Sequence, residues 1–423
     1  MIFSRLFSKG QVDPRQVGEA MATQRWADAE PKFRSIGLTG KLKLFSPRAG
    51  YWQPPADLIA PRPAAIDSRQ KAATMVEQAL ALVMADIPFR GIRPWLEANG
   101  NPLDGLADDL QGPTMPASVF RLRQQSSPTP FVSQLLLLPV QNGALHYEQR
   151  YIERTGWYGV TEATRAAIAA GSPSETQTYG EALYINNLRT LASAVHQDRT
   201  YSLGLQAAWI LLSLGAKSSS LYPSLPAESG GVSYDGSTAM DGALAEAAEL
   251  ATRAGAHEKW ALSQYPRPEE LARYPEELHP IWQERGVPLL EQWNGFWPSL
   301  TREGCPMHSS YISNHAAIGW AVATTLKAWF ADAPWPRDLV QASPDGRELI
   351  TANGSATIHG ELDKLGWNYS IGRLSIHDRV DYYGGAAVGQ AAALRVLQRR
   401  RMESGEPWGT TTFIGWDGQP VTV

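Results

Sequence analysis

The chain has a single cysteine, Cys305, among its 423 residues. That excludes a framework of internal disulfides and suits a reducing compartment, so the expected location is cytoplasmic. It also lacks an apolar run of about 18 residues free of charge, which argues against a transmembrane helix. Its start, from Met1 to Gly10, has no apolar stretch of the length a secretory leader needs. Charge of one sign is scarce in excess: 38 Lys and Arg against 42 Asp and Glu leave a net charge of −4. No basic surplus points to nucleic acid, and no polybasic run points to a membrane surface. Heptads and short-period repeats are missing too. What remains is an ordinary globular composition, 43% hydrophobic and 19% charged, enough for a large core.

What is present is mostly helical periodicity. Residues 1–66 are rich in Pro, Gly and Arg and predict an extended arm, with short strands around Lys41–Phe45. Ser68 to Asp86 carries apolar residues at helical spacing (Ala72, Met75, Val76, Ala79, Leu80, Val83), with Asp67 as its cap. Thr129 to Tyr151 reads as a core segment. Gly180–His196 and Tyr201–Leu214 predict two more helices. Residues 217–237, rich in Ser, Gly and Pro, predict a linker between a first half (67–216) and a second (238–423). Asp241 to Tyr265 is helical up to Pro266, Glu361–Arg373 is helical, and Asp381–Arg399 forms the last long helix. Asp345-Gly346 and Asn353-Gly354 suggest a hairpin, and Asp417-Gly418 a second one at the C-terminus. The expected class is all-α with an irregular N-terminal arm and a short C-terminal β-hairpin.

The stretch from Cys305 to Trp320 reads as a loop entering a helix, with Ser313 as N-cap. Ser313, Asn314 and His315 would then stand at the positive end of that helix, where free N–H groups bind oxyanions. Two flanking stretches turn this common arrangement into a pattern. Upstream, Lys259 precedes Arg267-Pro268-Glu269-Glu270; downstream, Gly372-Arg373 precedes His377 and Asp381. Taken singly each is bland: an acidic helix start, a solvated lysine, a structural charge network.

Together the three stretches resemble the three-part signature shared by vanadium haloperoxidases and type 2 phosphatidic acid phosphatases, in its bacterial haloperoxidase branch. The resemblance covers roughly residues 68–423 and includes Glu148-Gln149-Arg150-Tyr151 after an apolar stretch. It implies a helical fold of two four-helix bundles and an oxyanion site for vanadate, the expected cofactor. Lys259, Arg267, Ser313, Asn314 and Arg373 would bind vanadate, and His377 would be the axial ligand of the metal. Asp381 would orient His377, and His315 would take a proton from hydrogen peroxide. His308 stands where bromide-preferring members have a His. The implied partners are hydrogen peroxide, a halide (bromide or iodide favoured) and a small organic acceptor, with a homodimer as the expected assembly. Two departures are plain: Ile312-Ser313-Asn314-His315 stands where the family has Pro-Ser-Gly-His, and Arg373 is about two residues closer to His377 than in the pattern. A metal-free or anion-binding member, and a phosphatase with His377 as nucleophile, use the same residues.

Overall fold

The computed structural model describes residues 52, 54–106, 108–110, 130–169, 173–196, 201–221, 237–263, 265–306, 308–404 and 408–423. The expected strands at Lys41–Phe45, most of the N-terminal arm and most of the 217–237 linker lie outside these residues. The longer helices are α1 (Arg69–Val83), α2 (Leu188–His196), α3 (Ser202–Ser213), α4 (Ser237–His257), α5 (Asn314–Trp329), α6 (Ile358–Ile371) and α7 (Arg379–Ser404). Helix α5 is the hub, packed against α4, α6 and α7. Its Ala316, Ala317, Ala321, Ala323 and Gly319 are small enough for close backbone approach, and Val322, Leu326 and Trp320 fill the spaces between. Glycines on α7 complete this fit: a Cβ at Gly385 or Gly389 would collide with the backbone of α5.

Strands occur as small antiparallel pairs at the periphery. They join Val140–Asn142 to Leu145–Tyr147, Tyr151–Thr155 to Thr178–Leu183, Val340–Ala342 to Leu349–Thr351, and Thr412–Ile414 to Pro420–Thr422. The fold is therefore mostly helical, as expected, and both hairpins expected in the C-terminal part form. The expected core segment is also buried, from Val132 through Leu138.

Several boundaries differ from the sequence reading for identifiable reasons. Ser68, not Asp67, caps α1, its hydroxyl accepting from Lys71 N at 3.1 Å. Gly180–Leu183 is strand rather than helix, because Thr178–Leu183 finds a partner in Tyr151–Thr155; the helix starts only at Leu188. The helix expected to reach Tyr265 ends at His257 and continues as one π-helical turn, Glu258–Leu262, which carries Lys259. Helix α6 closes at Ile371, so Arg373 lies in the turn beyond it, and α7 opens at Arg379, so His377 precedes the helix that holds Asp381. That turn is tight: Ser375 adopts φ 70, in the left-handed region, and Trp297 Nε1 donates to its carbonyl at 2.9 Å.

Candidate active site

The loop entering α5, the π-helical turn after α4 and the turn between α6 and α7 converge on one buried spot. Ser313 caps α5, accepting from Ala316 N at 3.3 Å, so its hydroxyl proton stays available as a donor. Ser313 N donates to the Asp381 carbonyl at 3.1 Å, which ties the start of α5 to the first turn of α7.

His377 is the centre of the polar contacts. Its Nδ1 is 2.8 Å from Asp381 Oδ2, so the contact expected from the four-residue spacing forms although His377 is not itself helical. Ser310 Oγ also donates to Asp381 Oδ2 and lies 3.4 Å from His377 Nδ1. Asp381 thereby fixes the proton on Nδ1 and leaves the lone pair on Nε2. Nε2 faces Arg267, whose guanidinium lies 3.4 Å away.

Arg267 spans the site. It donates to the carbonyls of Pro306 at 2.8 Å and Ile376 at 2.9 Å, and its guanidinium is 3.2 Å from His308 Nδ1. Lys259 Nζ donates to the carbonyls of Ser310 at 2.8 Å and Ser309 at 3.2 Å. Among the described residues no carboxylate bonds to either cation. Burial and then the neighbouring Arg267 drive the Lys259 ammonium well below its ordinary pKa, although Asp381 pulls the other way. Burial, followed by Arg267, Lys259, Arg373 and His315, pushes His377 well below the usual histidine range. His308 is lowered well below it too, by burial and then Lys259 and Arg267. The region is buried and rich in positive charge, and the imidazole at its centre is neutral with an exposed lone pair.

The other expected residues sort as follows. His315 is half-buried and close enough to His377 to act on it electrostatically. Asn314 turns its side chain onto α4, where Gly255 leaves the room; a Cβ there would meet Asn314 Oδ1 at 2.1 Å. The larger side chain is thus taken up between helices. Arg373 is buried and acts on Lys259 and His377 through space, but its guanidinium sits 3.3 Å from His196 Nδ1 rather than on His377. His196 Nε2 in turn lies 2.6 Å from Glu303.

Sequence reasoning missed Ser310, His196, Glu303 and a buried pair behind the site, Lys71 with Asp378. Ser310 lies in the quoted loop, yet a serine there has no pattern of its own. Lys71 sits on an otherwise apolar stretch of α1, a polar residue on a buried face, which is the signal that could have found it.

The donor set suits vanadate. An oxyanion would receive charge from Lys259 and Arg267, hydrogen bonds from Ser313 and the start of α5, and the lone pair of His377 Nε2. It would also supply the negative charge that the cluster lacks.

No family model matches the sequence. Among curated proteins the chain is similar to a vanadium-dependent bromoperoxidase of Ascophyllum nodosum, 26% identical over 382 residues, which is 78% of this chain and 64% of that protein. It is also similar to one from Corallina pilulifera, 26% identical over 52% of this chain and 44% of that protein. A shorter match, 34% identical over 114 residues, links 26% of this chain to 19% of a Corallina officinalis vanadium-dependent bromoperoxidase. This chain spans less than two thirds of the length of these relatives. Its fold is similar to that of the solved homohexameric second vanadate-dependent bromoperoxidase of Ascophyllum nodosum, with a TM-score of 0.74 and 21% identity, covering 90% of this chain and 76% of that one. The three-part pattern, the mostly helical fold and relatives that bear one name together support a place for the chain in the vanadium haloperoxidase family.

Proposed function

We propose that this protein is a vanadium-dependent haloperoxidase that oxidises bromide or iodide with hydrogen peroxide and so halogenates a small organic acceptor. The observation that carries the reading is the neutral His377, its Nε2 facing Arg267, in a buried cluster where Lys259 and Arg267 bond to no carboxylate among the described residues.

In this reading vanadium(V), when bound as vanadate, supplies Lewis-acid activation of peroxide without changing its oxidation state. The chain's own residues do the rest. Lys259 and Arg267 neutralise the oxyanion, Ser313 and the first N–H groups of α5 donate to it, and His377 Nε2 holds the metal. Asp381 keeps the His377 proton on Nδ1, so the ligand nitrogen stays basic and correctly turned. His315, half-buried at the start of α5, accepts a proton from hydrogen peroxide. The net reaction, H2O2 + Br⁻ + H⁺ → HOBr + H2O, oxidises the halide by two electrons and reduces the O–O bond. Assembly of identical chains belongs to the same proposal, since the solved neighbour is homohexameric.

The test is metal analysis after incubation with vanadate, joined to a bromination assay. Retained vanadium and peroxide-dependent bromination are expected. His377→Ala should abolish retention, whereas His315→Ala should keep vanadium and lose turnover. Equal metal loss in both variants would refute this division of roles, and no retention in the wild type would refute the function.

A further inference from the structure

Beside the candidate active site lies a small pocket, partly open to solvent, with sheltered room for one water-sized occupant. The turn that leads to His377 forms one wall, through Arg373 and Ser375. Arg154, His196 and Thr301 line the rest. We propose that this pocket is a binding site for a single small monovalent anion, a halide in the haloperoxidase reading.

Two observations point there independently. The first is charge. Arg154 and Arg373 are both nine-tenths or more buried, and Glu303 stands beside Arg154 at the rim. Glu303 lies 3.7 Å from Arg154 and is close to half exposed. His196 adds no charge of either sign; burial above all holds it down to about 4, so it is neutral at ordinary pH. The second is unmet hydrogen bonding. Thr301 and Ser375 are buried, 3% and 1% exposed, and neither hydroxyl has a hydrogen-bond partner among the described residues. Buried hydroxyls without partners are rare in native proteins and call for an occupant. Two hydroxyl donors and two guanidinium groups around a space the size of one ion make a seat for a monatomic anion, not for a divalent or bulky one.

Arg373 belongs to both places. It lines the pocket and acts through space on Lys259 and His377. An anion held here would wait one turn of chain from His377. The identity of the anion as a halide rests on the proposed function; the existence of the site does not.

The experiment uses the whole chain without vanadate. Crystals soaked in bromide are measured at the bromine absorption edge, and affinity is followed in solution by bromine NMR line broadening. A bromide peak between Arg154, Thr301 and Arg373 is expected. Thr301→Val, which removes a hydroxyl that bonds to nothing among the described residues, should leave stability unchanged and weaken bromide by about tenfold. Arg154→Met should weaken it at least as much. A parallel arm with formate separates the sources: bromide bound and formate excluded makes a halide seat, equal binding makes a carboxylate seat, and either supports the anion site. Bromide absent from the pocket, or an affinity unchanged in Thr301→Val, overturns it. A protein that binds bromide here yet retains no vanadate would fail the proposed function alone.

Discussion

Two buried charge clusters meet at the turn between α6 and α7, and they are built on opposite rules. Behind His377, each charge has a partner. Lys71 on α1 bonds to Asp378 with both side chains fully buried, and Arg379 bonds to Glu77. Burial opposes the charged form of Lys71, but Asp378 outweighs it and the ammonium is raised above its ordinary pKa. In front of His377, Lys259 and Arg267 bond only to carbonyls and imidazoles among the described residues, and both are lowered, first by burial. Similar residues at similar depth thus carry opposite shifts, set by what stands opposite them. The matched cluster holds α1 to the start of α7 and is complete within the chain. In the unmatched cluster Asp381 offsets the cations only through space, and an anion from outside would bond to them directly.

The comparison breaks most visibly at Lys71. Removing one partner of a fully buried pair strands the other, so Lys71→Met is expected to destabilise the protein by about 3–5 kcal/mol, read by urea unfolding. The double variant Lys71→Met with Asp378→Asn should recover most of that loss. A loss under about 1 kcal/mol for Lys71→Met would mean the pair is not the staple described.

The unmatched cluster should respond the other way. Lys259→Met or Arg267→Met relieves repulsion, so stability without anion stays the same or rises, while vanadate binds about tenfold to a hundredfold more weakly. Equilibrium dialysis with vanadate measures the affinity, and thermal unfolding the stability. A variant that loses stability and keeps its vanadate would invert the comparison and move the oxyanion site elsewhere.

How much of this was legible in the sequence follows from the range of each interaction. Ser313 as N-cap, the hairpins, and the His377–Asp381 contact depend on neighbours a few residues apart, and local chemistry is written locally. The meeting of Lys259, Arg267 and His377 could be read only through the family resemblance, since no spacing rule joins residues so far apart in the chain. Lys71 with Asp378 and Arg373 with His196 have no local trace, because α1 and α2 reach the site only through packing. The strand at Thr178–Leu183 was misread for the same reason: its partner strand, not its own residues, decides its form.

The His196 cluster lies between the two extremes and sharpens the contrast in acid. His196 Nε2 sits on Glu303, yet burial wins and holds the imidazole at about 4, so the contact is a hydrogen bond from a neutral ring at neutral pH. A histidine lowered in the fold binds fewer protons there than when unfolded. Its contribution is therefore full above its unfolded pKa of about 6.5 and is lost as pH falls toward 4. The loss should be on the order of 2 kcal/mol over that window. Glu303, held down to about 2, gives way only below its unfolded range, as pH falls from 4.5 toward 2. His196→Gln should flatten the slope of stability between pH 6.5 and 4 relative to wild type, measured by urea titrations at each pH. A steeper loss in the variant would mean that His196 is charged in the fold and paired like Lys71, and an unchanged slope that the fold leaves its titration unaltered; either refutes the argument.

The smallest expected effect is at His308, and it tests how the unmatched cluster directs its charge. His308 is buried with Nδ1 3.2 Å from the Arg267 guanidinium, and burial with Lys259 and Arg267 keeps it neutral. The same Nδ1 is 3.0 Å from the Ser309 carbonyl, and in the tautomer that carries its proton on Nε2 it accepts from Arg267 and draws one arm away from the anion that arm would otherwise meet. With less positive charge turned on the oxygen that a halide attacks, chloride, the harder halide to oxidise, should lose turnover first while bromide and iodide keep it. His308→Phe removes that acceptor, frees the arm of Arg267, and should raise the ratio of chloride to bromide turnover by a few-fold, which is about 1 kcal/mol or less. The measurement is halogenation of a dye at saturating peroxide, with each halide supplied alone. Chloride turnover equal to bromide in the wild type would refute the argument. So would a ratio unmoved in His308→Phe, since Arg267 would then be aimed by its backbone carbonyl partners, those of Pro306, His308, Ser309 and Ile376.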